Sequence, residues 1–199
     1  MGRVGVCLLA AAFFWCGTLI SDRQRLRQEL IRLHVVANSD SPEDQALKLQ
    51  VRDAVINCLK TDLQNISDVH QAKQYIQEKL PYIKQVANQT LRSLGCDESV
   101  EVSLCQEKFD TRVYDTFSLP AGVYQALRLV IGEGQGKNWW CVVFPGLCIP
   151  AASDGVEDVA AGAGFPQALS DSLTEKETYE LRFGILDAMG RLENILFAG

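Results

Sequence analysis

The chain has 199 residues, 47% of them hydrophobic and 22% charged, with a net charge of −6 at neutral pH. This is ordinary globular composition and fits one domain plus an N-terminal segment. The acidic balance, with no Lys/Arg-dense block after the leader, argues against nucleic-acid binding, which rests on neutralising phosphates.

Met1-Gly2-Arg3 is a short basic start, and Val4 to Ile20 is an uncharged run of 17 residues. That length is the lower limit for a membrane span and slightly above the core of a signal peptide. On either reading the remainder is exported. The run has no polar face, which argues against a buried cytoplasmic helix. No small-x-small triplet follows it, and Arg23, Arg25 and Arg27 outnumber Arg3, against the usual positive-inside bias. Residues 1–27 are therefore read as a signal peptide or membrane anchor. Residues 28–150 are read as an α+β domain, 151–173 as a flexible linker and 174–199 as a C-terminal helix.

Leu30 to Asn38 reads as a strand, with Ile31, Leu33, Val35 and Ala37 on one face and Arg32 and His34 on the other. Asn38-Ser39-Asp40 makes a polar turn. Ser41 is an N-cap, Pro42 fits the first helical position, and Glu43 and Asp44 suit the helix dipole. The helix runs to about Lys60 on a stripe of Leu47, Val51, Ala54, Val55, Cys58 and Leu59. A second helical region covers about Ser67 to Leu94, with Pro81 predicted to kink or split it and Gly95 to end it.

Strands follow. Val100, Val102 and Leu104 alternate with Glu101 and Ser103. A turn near Gln106–Asp110 leads to Thr111–Phe117, and Pro120-Ala121-Gly122 turns into Val123–Ile131. A glycine-rich turn, Gly132-Glu133-Gly134-Gln135-Gly136, leads into Trp139–Phe144. Short connections predict an antiparallel meander. Ala151 to Phe165 is rich in Ala, Gly, Ser and Asp and has little to bury. Thr174-x-x-Glu177 is a capping box for a last helix to about Phe197, with Leu181, Ile185, Met189, Leu192 and Leu196 on one stripe. The predicted fold class is α+β: a helical hairpin packed on a mainly antiparallel sheet of about five strands, plus a C-terminal helix.

Motifs with catalytic spacing are weak. Gly132-x-Gly134-x-Gly136 resembles a phosphate loop only superficially, because a strand pattern follows where a helix N-terminus is needed. The two histidines, His34 and His70, are far apart, and no CxxC or HExxH spacing occurs, so no metal or cofactor is expected. A thiol–histidine pair of His34 with Cys58, Cys96 or Cys105 has no supporting context beside a partly buried strand histidine. Outside the leader, Cys58, Cys96, Cys105, Cys141 and Cys148 remain, so at least one thiol stays unpaired in a monomer. Cys141 and Cys148 are the best-spaced pair. They are read either as a bridge worth about 2–3 kcal/mol or as two small buried hydrophobes. Trp139 and Trp140 are adjacent on a strand and must face opposite sides. One suits the core. The other is an interface anchor unless the last helix covers it.

The string LIRLHVVANSDSPEDQALKLQVRDAV, from Leu30 to Val55, is similar to the N-terminal signature of the stage II sporulation protein R family. LPAG from Leu119, the run Leu127 to Gly136, and NWWCVVFP from Asn138 with Cys148 resemble its second signature. The closing helix also resembles the family's, whereas Gly146 stands where a second proline is expected. The resemblance implies a protein secreted from the forespore into the intermembrane space. There it activates a membrane-embedded aspartic-type protease of the mother cell, which cleaves the sigma-E precursor. It implies a signal and not an enzyme; an exported envelope hydrolase or thiol enzyme is the rival. The contacts expected with the protease are Trp139, Trp140 and the Cys141–Cys148 loop, with Asn38, Ser39 and Asp40 as second choice.

Overall fold

The computed structural model describes residues 28–113 and 118–145. The predicted leader, linker, C-terminal helix and Cys148 lie outside the described residues.

Chain order is β1 (Ile31–Val36), α1 (Pro42–Leu63), α2 (Val69–Ser93), β2 (Val100–Phe109), β3 (Arg112–Val113), β4 (Ser118–Leu119), β5 (Gly122–Ile131) and β6 (Asn138–Phe144). The fold class is α+β: two helices packed against a four-stranded mixed sheet, ordered β2-β5-β1-β6, with a small β3–β4 ladder beside it. The meander expectation is corrected. β1 lies between β5 and β6, parallel to β5 and antiparallel to β6. A strand followed by two helices has a long crossover available, so β1 can enter the middle of the sheet. The turn expected at Gln106–Asp110 is also corrected, since β2 stays paired with β5 as far as Phe109↔Gly122.

Local signals explain the helices. Ser41 Oγ accepts the Asp44 N–H at 3.1 Å, and Pro42 follows at the first helical position. Asp68, one residue after the predicted start, accepts the N–H groups of His70 and Gln71. Pro81 neither splits α2 nor ends it. Its exposed side of the helix lets water serve the carbonyl it leaves unbonded, while Ile76 and Ile83 stay fully buried on either side. Gly95 ends the helix as predicted. Its φ is +76°, its N–H bonds Arg92 O, and the Cys96 N–H bonds Leu91 O, a Schellman closure.

The core lies between the helices and one face of the sheet. Val51, Val55 and Leu59 of α1 and Ile76, Ile83 and Leu91 of α2 meet Leu33, Val35, Leu127, Leu129 and Val143, all fully buried. Each such side chain contributes about 1.5–3 kcal/mol by leaving water. On the opposite face β1 is buried as well, which alternation alone does not predict. Arg32 has no exposure, and its guanidinium lies 3.9 Å above the Phe109 ring and 5.2 Å from that of Tyr124. Aromatic faces accommodate a weakly hydrated guanidinium and its apolar stem. Tyr124 donates its hydroxyl to Pro120 O at 2.7 Å.

Candidate docking site

Two turns meet at the end of the sheet where β1 gives way to α1 and β5 to β6. Gly136 N–H donates to Ala37 O at 2.9 Å and Gln135 N–H to Asn38 O at 3.0 Å. Asn38 Oδ1 accepts from Glu133 N–H at 2.9 Å, and Asp40 Oδ1 from Lys137 N–H at 2.7 Å. The glycines permit this. Gly132 and Gly134 have φ of +54° and +64°, and a Cβ on Gly136 would overlap the Ser39 carbonyl. The Gly132–Gly136 segment thus joins β5 to β6 across the end of β1, which lies between them, and is clasped to Asn38-Ser39-Asp40.

Asp44 ties the same turn to α1. Its Oδ2 accepts from Ser39 Oγ at 2.5 Å and Asn38 Nδ2 at 3.0 Å. The Ser39 bond above all holds its carboxyl below the usual aspartate range, against a partial burial that pushes the other way. Lys48 is 5% exposed and donates to Gln45 Oε1 at 2.6 Å and Lys137 O at 3.0 Å. Burial lowers its pKa, and the Asp40 carboxylate opposes that.

Beside the turns, a polar chain crosses all four strands on the face away from the helices. Arg128 Nε of β5 lies 3.3 Å from Glu107 Oε1 of β2. The Glu107 oxygens lie 2.9 and 2.8 Å from His34 Nδ1 of β1. His34 Nε2 lies 2.9 Å from Asn138 Oδ1 of β6. Trp140, the Cα partner of His34, stacks on its ring with centroids 5.4 Å apart. Both nitrogens of His34 are therefore taken by Glu107 and Asn138, and neither contact is a thiol.

Trp139 and Trp140 do face opposite sides, and both are half-buried. Trp139 packs against the helix-side core with the Arg52 guanidinium 4.2 Å from its ring. Cys141 is fully buried and disulfide-bonded, while Cys58, Cys96 and Cys105 are free thiols. Its expected partner, Cys148, lies outside the described residues, so their pairing remains a proposal. The structure gathers Asn38, Ser39, Asp40, Trp139 and Trp140 at one end of the sheet. Sequence reasoning missed Glu107, Arg128, Asn138 and Asp44 in this network. Period-two alternation continued past Leu104 places Glu107 on the face of Ser103, but the turn expected there hid it.

Fold and geometry together define an α+β domain in which the sheet face away from α1 and α2 carries a hydrogen-bonded, ring-stacked polar network at one end. The chain belongs to the stage II sporulation protein R family, whose model matches residues 27–154 and so spans every described element. Among curated proteins it is 41% identical over 127 residues to "Stage II sporulation protein R" of Bacillus subtilis (strain 168). That alignment covers 64% of this chain and 57% of the relative, so the chain spans little more than half of the protein it matches. No solved structure matches.

Proposed function

We propose that this protein is a secreted signal of endospore formation that activates a membrane-embedded aspartic-type protease, which in turn cleaves the sigma-E precursor. It acts from the intermembrane space after export from the forespore by residues 1–27, and it is not itself an enzyme. Family membership supports the sporulation role. The observation that carries the docking reading is the joining of the two family signatures into one unit. The Asn38-Ser39-Asp40 turn is hydrogen-bonded to the β5–β6 connection that leads into Trp139 and Trp140. Evolved contact surfaces concentrate binding in such rigidly held aromatic anchors. A Cys141–Cys148 bridge would fix the segment after β6 in the same place.

A ligand activates only by binding the active state more tightly than the inactive one. The domain therefore contacts the extracytoplasmic part of the protease in its active arrangement. Co-expression of the full chain with the protease and precursor, without other sporulation proteins, tests this. Precursor cleavage should depend on this chain and on its leader. Trp139→Ala and Trp140→Ala should each lower cleavage about 30-fold, the scale of one hot spot, in protein that remains folded. Undiminished cleavage in both folded variants would remove the tryptophans from the site.

A further inference from the structure

The two edges of the four-stranded sheet, β6 and β2, are not alike. Cys141 to Phe144 of β6 are buried, whereas Glu101, Ser103, Gln106 and Lys108 of β2 are exposed. Which backbone groups β2 turns outward follows from its pairing. Gly132 N–H donates to Ser99 O at 2.9 Å, and the β2–β5 register then runs unbroken from Val100↔Ile131 to Phe109↔Gly122. Odd-numbered residues of β2 therefore bond to β5, and even-numbered ones point their N–H and C=O away from it. Val100 shows this directly, because its N–H donates to Asn88 Oδ1 of α2 at 3.0 Å. Lys84 of α2 guards the same end, with Nζ 2.8 Å from Glu101 Oε1. Beyond that end, the outward backbone groups of Val102, Leu104, Gln106 and Lys108 bond to nothing among the described residues. An open edge of this kind is a template for another strand.

We propose that β2 pairs with β2 of a second copy of this chain, antiparallel about a two-fold axis at Cys105. The open residues are themselves centred on Cys105. This register sets Leu104 against Gln106 and Val102 against Lys108 of the second copy. Every open group then gains a partner, and the Val100 N–H stays with Asn88. On the face away from the helices, Ser103 meets Glu107 of the second copy, a hydroxyl donor against a carboxylate, and Glu101 meets Phe109. A register centred on Leu104 would need the Val100 N–H and would oppose Glu101 to Glu107, like charges directly across. One centred on Gln106 would run Val102 past the end of the second β2. Lys84 and Arg128 face Glu101 and Glu107 within their own chain, at 2.8 and 3.3 Å, so neither carboxylate arrives unbalanced. Two strands make a small contact, so the association is weak and concentration-dependent. It lies at the edge opposite β6, which carries Trp139 and Trp140, and it does not rest on the docking reading.

Sedimentation of the purified full chain should show a shift from 22.0 kDa toward twice that mass as concentration rises. Cys105, a free thiol, reports the register. Its two copies form a non-hydrogen-bonded pair with Cα atoms about 4.5 Å apart, within disulfide reach. The oxidant diamide, which takes up the two thiol hydrogens, should link the copies there, and Cys105→Ser should lower the linked fraction about tenfold. Gln106→Pro removes an outward N–H that no strand of its own chain uses, so the protein should keep the parent's unfolding midpoint. The heavier species and the Cys105 link should both fall about tenfold or more, since the symmetry removes two bonds at once. If Gln106→Pro does not fold, the register decides. A thiol introduced by Ser103→Cys into Cys105→Ser lies about 13 Å along the strand from its counterpart, and it should add no linking. A chain that stays monomeric at every concentration, a dimer undiminished in folded Gln106→Pro, or ready linking through position 103 would each overturn the proposal. None of these outcomes bears on the docking reading, which is tested by precursor cleavage.

Discussion

On the helix-covered face of the sheet, Leu33, Val35, Leu127 and Leu129 meet Val51, Val55, Ile76 and Ile83. On the opposite face, Arg32, His34, Glu107, Arg128 and Asn138 meet rings and one another through directed contacts. The first set asks for apolar volume, and many side chains supply it. The second asks for a particular donor, acceptor or ring at a particular place, and each member is costly without its partner. β1 shows both rules in six residues, since its odd positions enter the core while Arg32 and His34 enter the network. One face is held by apolar volume, and the other by directed polar and ring contacts.

Leu33→Ala puts the sharpest strain on that contrast. Leu33 has no exposure at the centre of the core, so truncation should cost about 2–5 kcal/mol, measured as a lower midpoint in chemical unfolding. On the proposed docking reading, protein that stays folded should activate normally, because none of the proposed contact residues has been changed. A folded Leu33→Ala that fails to activate would break the division between the faces. Gly136→Ala should cost less, about 1–3 kcal/mol, but should take function with it. The added methyl meets the Ser39 carbonyl and the Ala37 Cβ, so the two turns must part. Loss of precursor cleavage beyond the fraction unfolded is the expected result. Equal losses in both assays would mean that the clasp is structural support alone.

How much of this was legible in the chain follows from the same contrast. The apolar stripes of α1 and α2 and the alternation in β1 and β2 are one-dimensional patterns, and they marked the helix-side core well. The Ser41-Pro42 start and the Gly95 stop were legible because capping chemistry is local. Sheet order was not, because β1 reaches β5 across more than 80 residues and no short-range signal sets that pairing. The strand period puts Arg32 on the face opposite Leu33, but Phe109, 77 positions away, takes its guanidinium. The pattern predicts a partly buried strand histidine at His34 and names no partner for it, because Glu107 lies 73 residues away. Trp139 and Trp140 were placed on opposite faces by the strand period, but their neighbours Arg52 and His34 came only from tertiary structure.

Asp44 gives the smallest effect and the finest discrimination. It stands at the third helical position of α1, where a negative charge complements the helix dipole, and it also accepts from Ser39 and Asn38. Asp44→Asn keeps the shape and one acceptor oxygen but loses the charge, so the cost at neutral pH should be about 1 kcal/mol or less for a site this open to solvent. The sign of its pH dependence follows from the depressed carboxyl. A group whose pKa is lower folded than unfolded contributes above its unfolded value, here the ordinary 3.8, and loses that contribution as pH falls through the folded value. Unfolding midpoints of parent and Asp44→Asn should therefore differ near pH 7 and converge below about pH 4. The Leu33→Ala deficit should stay constant over the same range, because no proton is taken up when an apolar side chain is cut back. An Asp44→Asn deficit that persisted undiminished in acid would mean that the amide fails on geometry instead of charge. The turn would then follow the packing rule of the helix side after all.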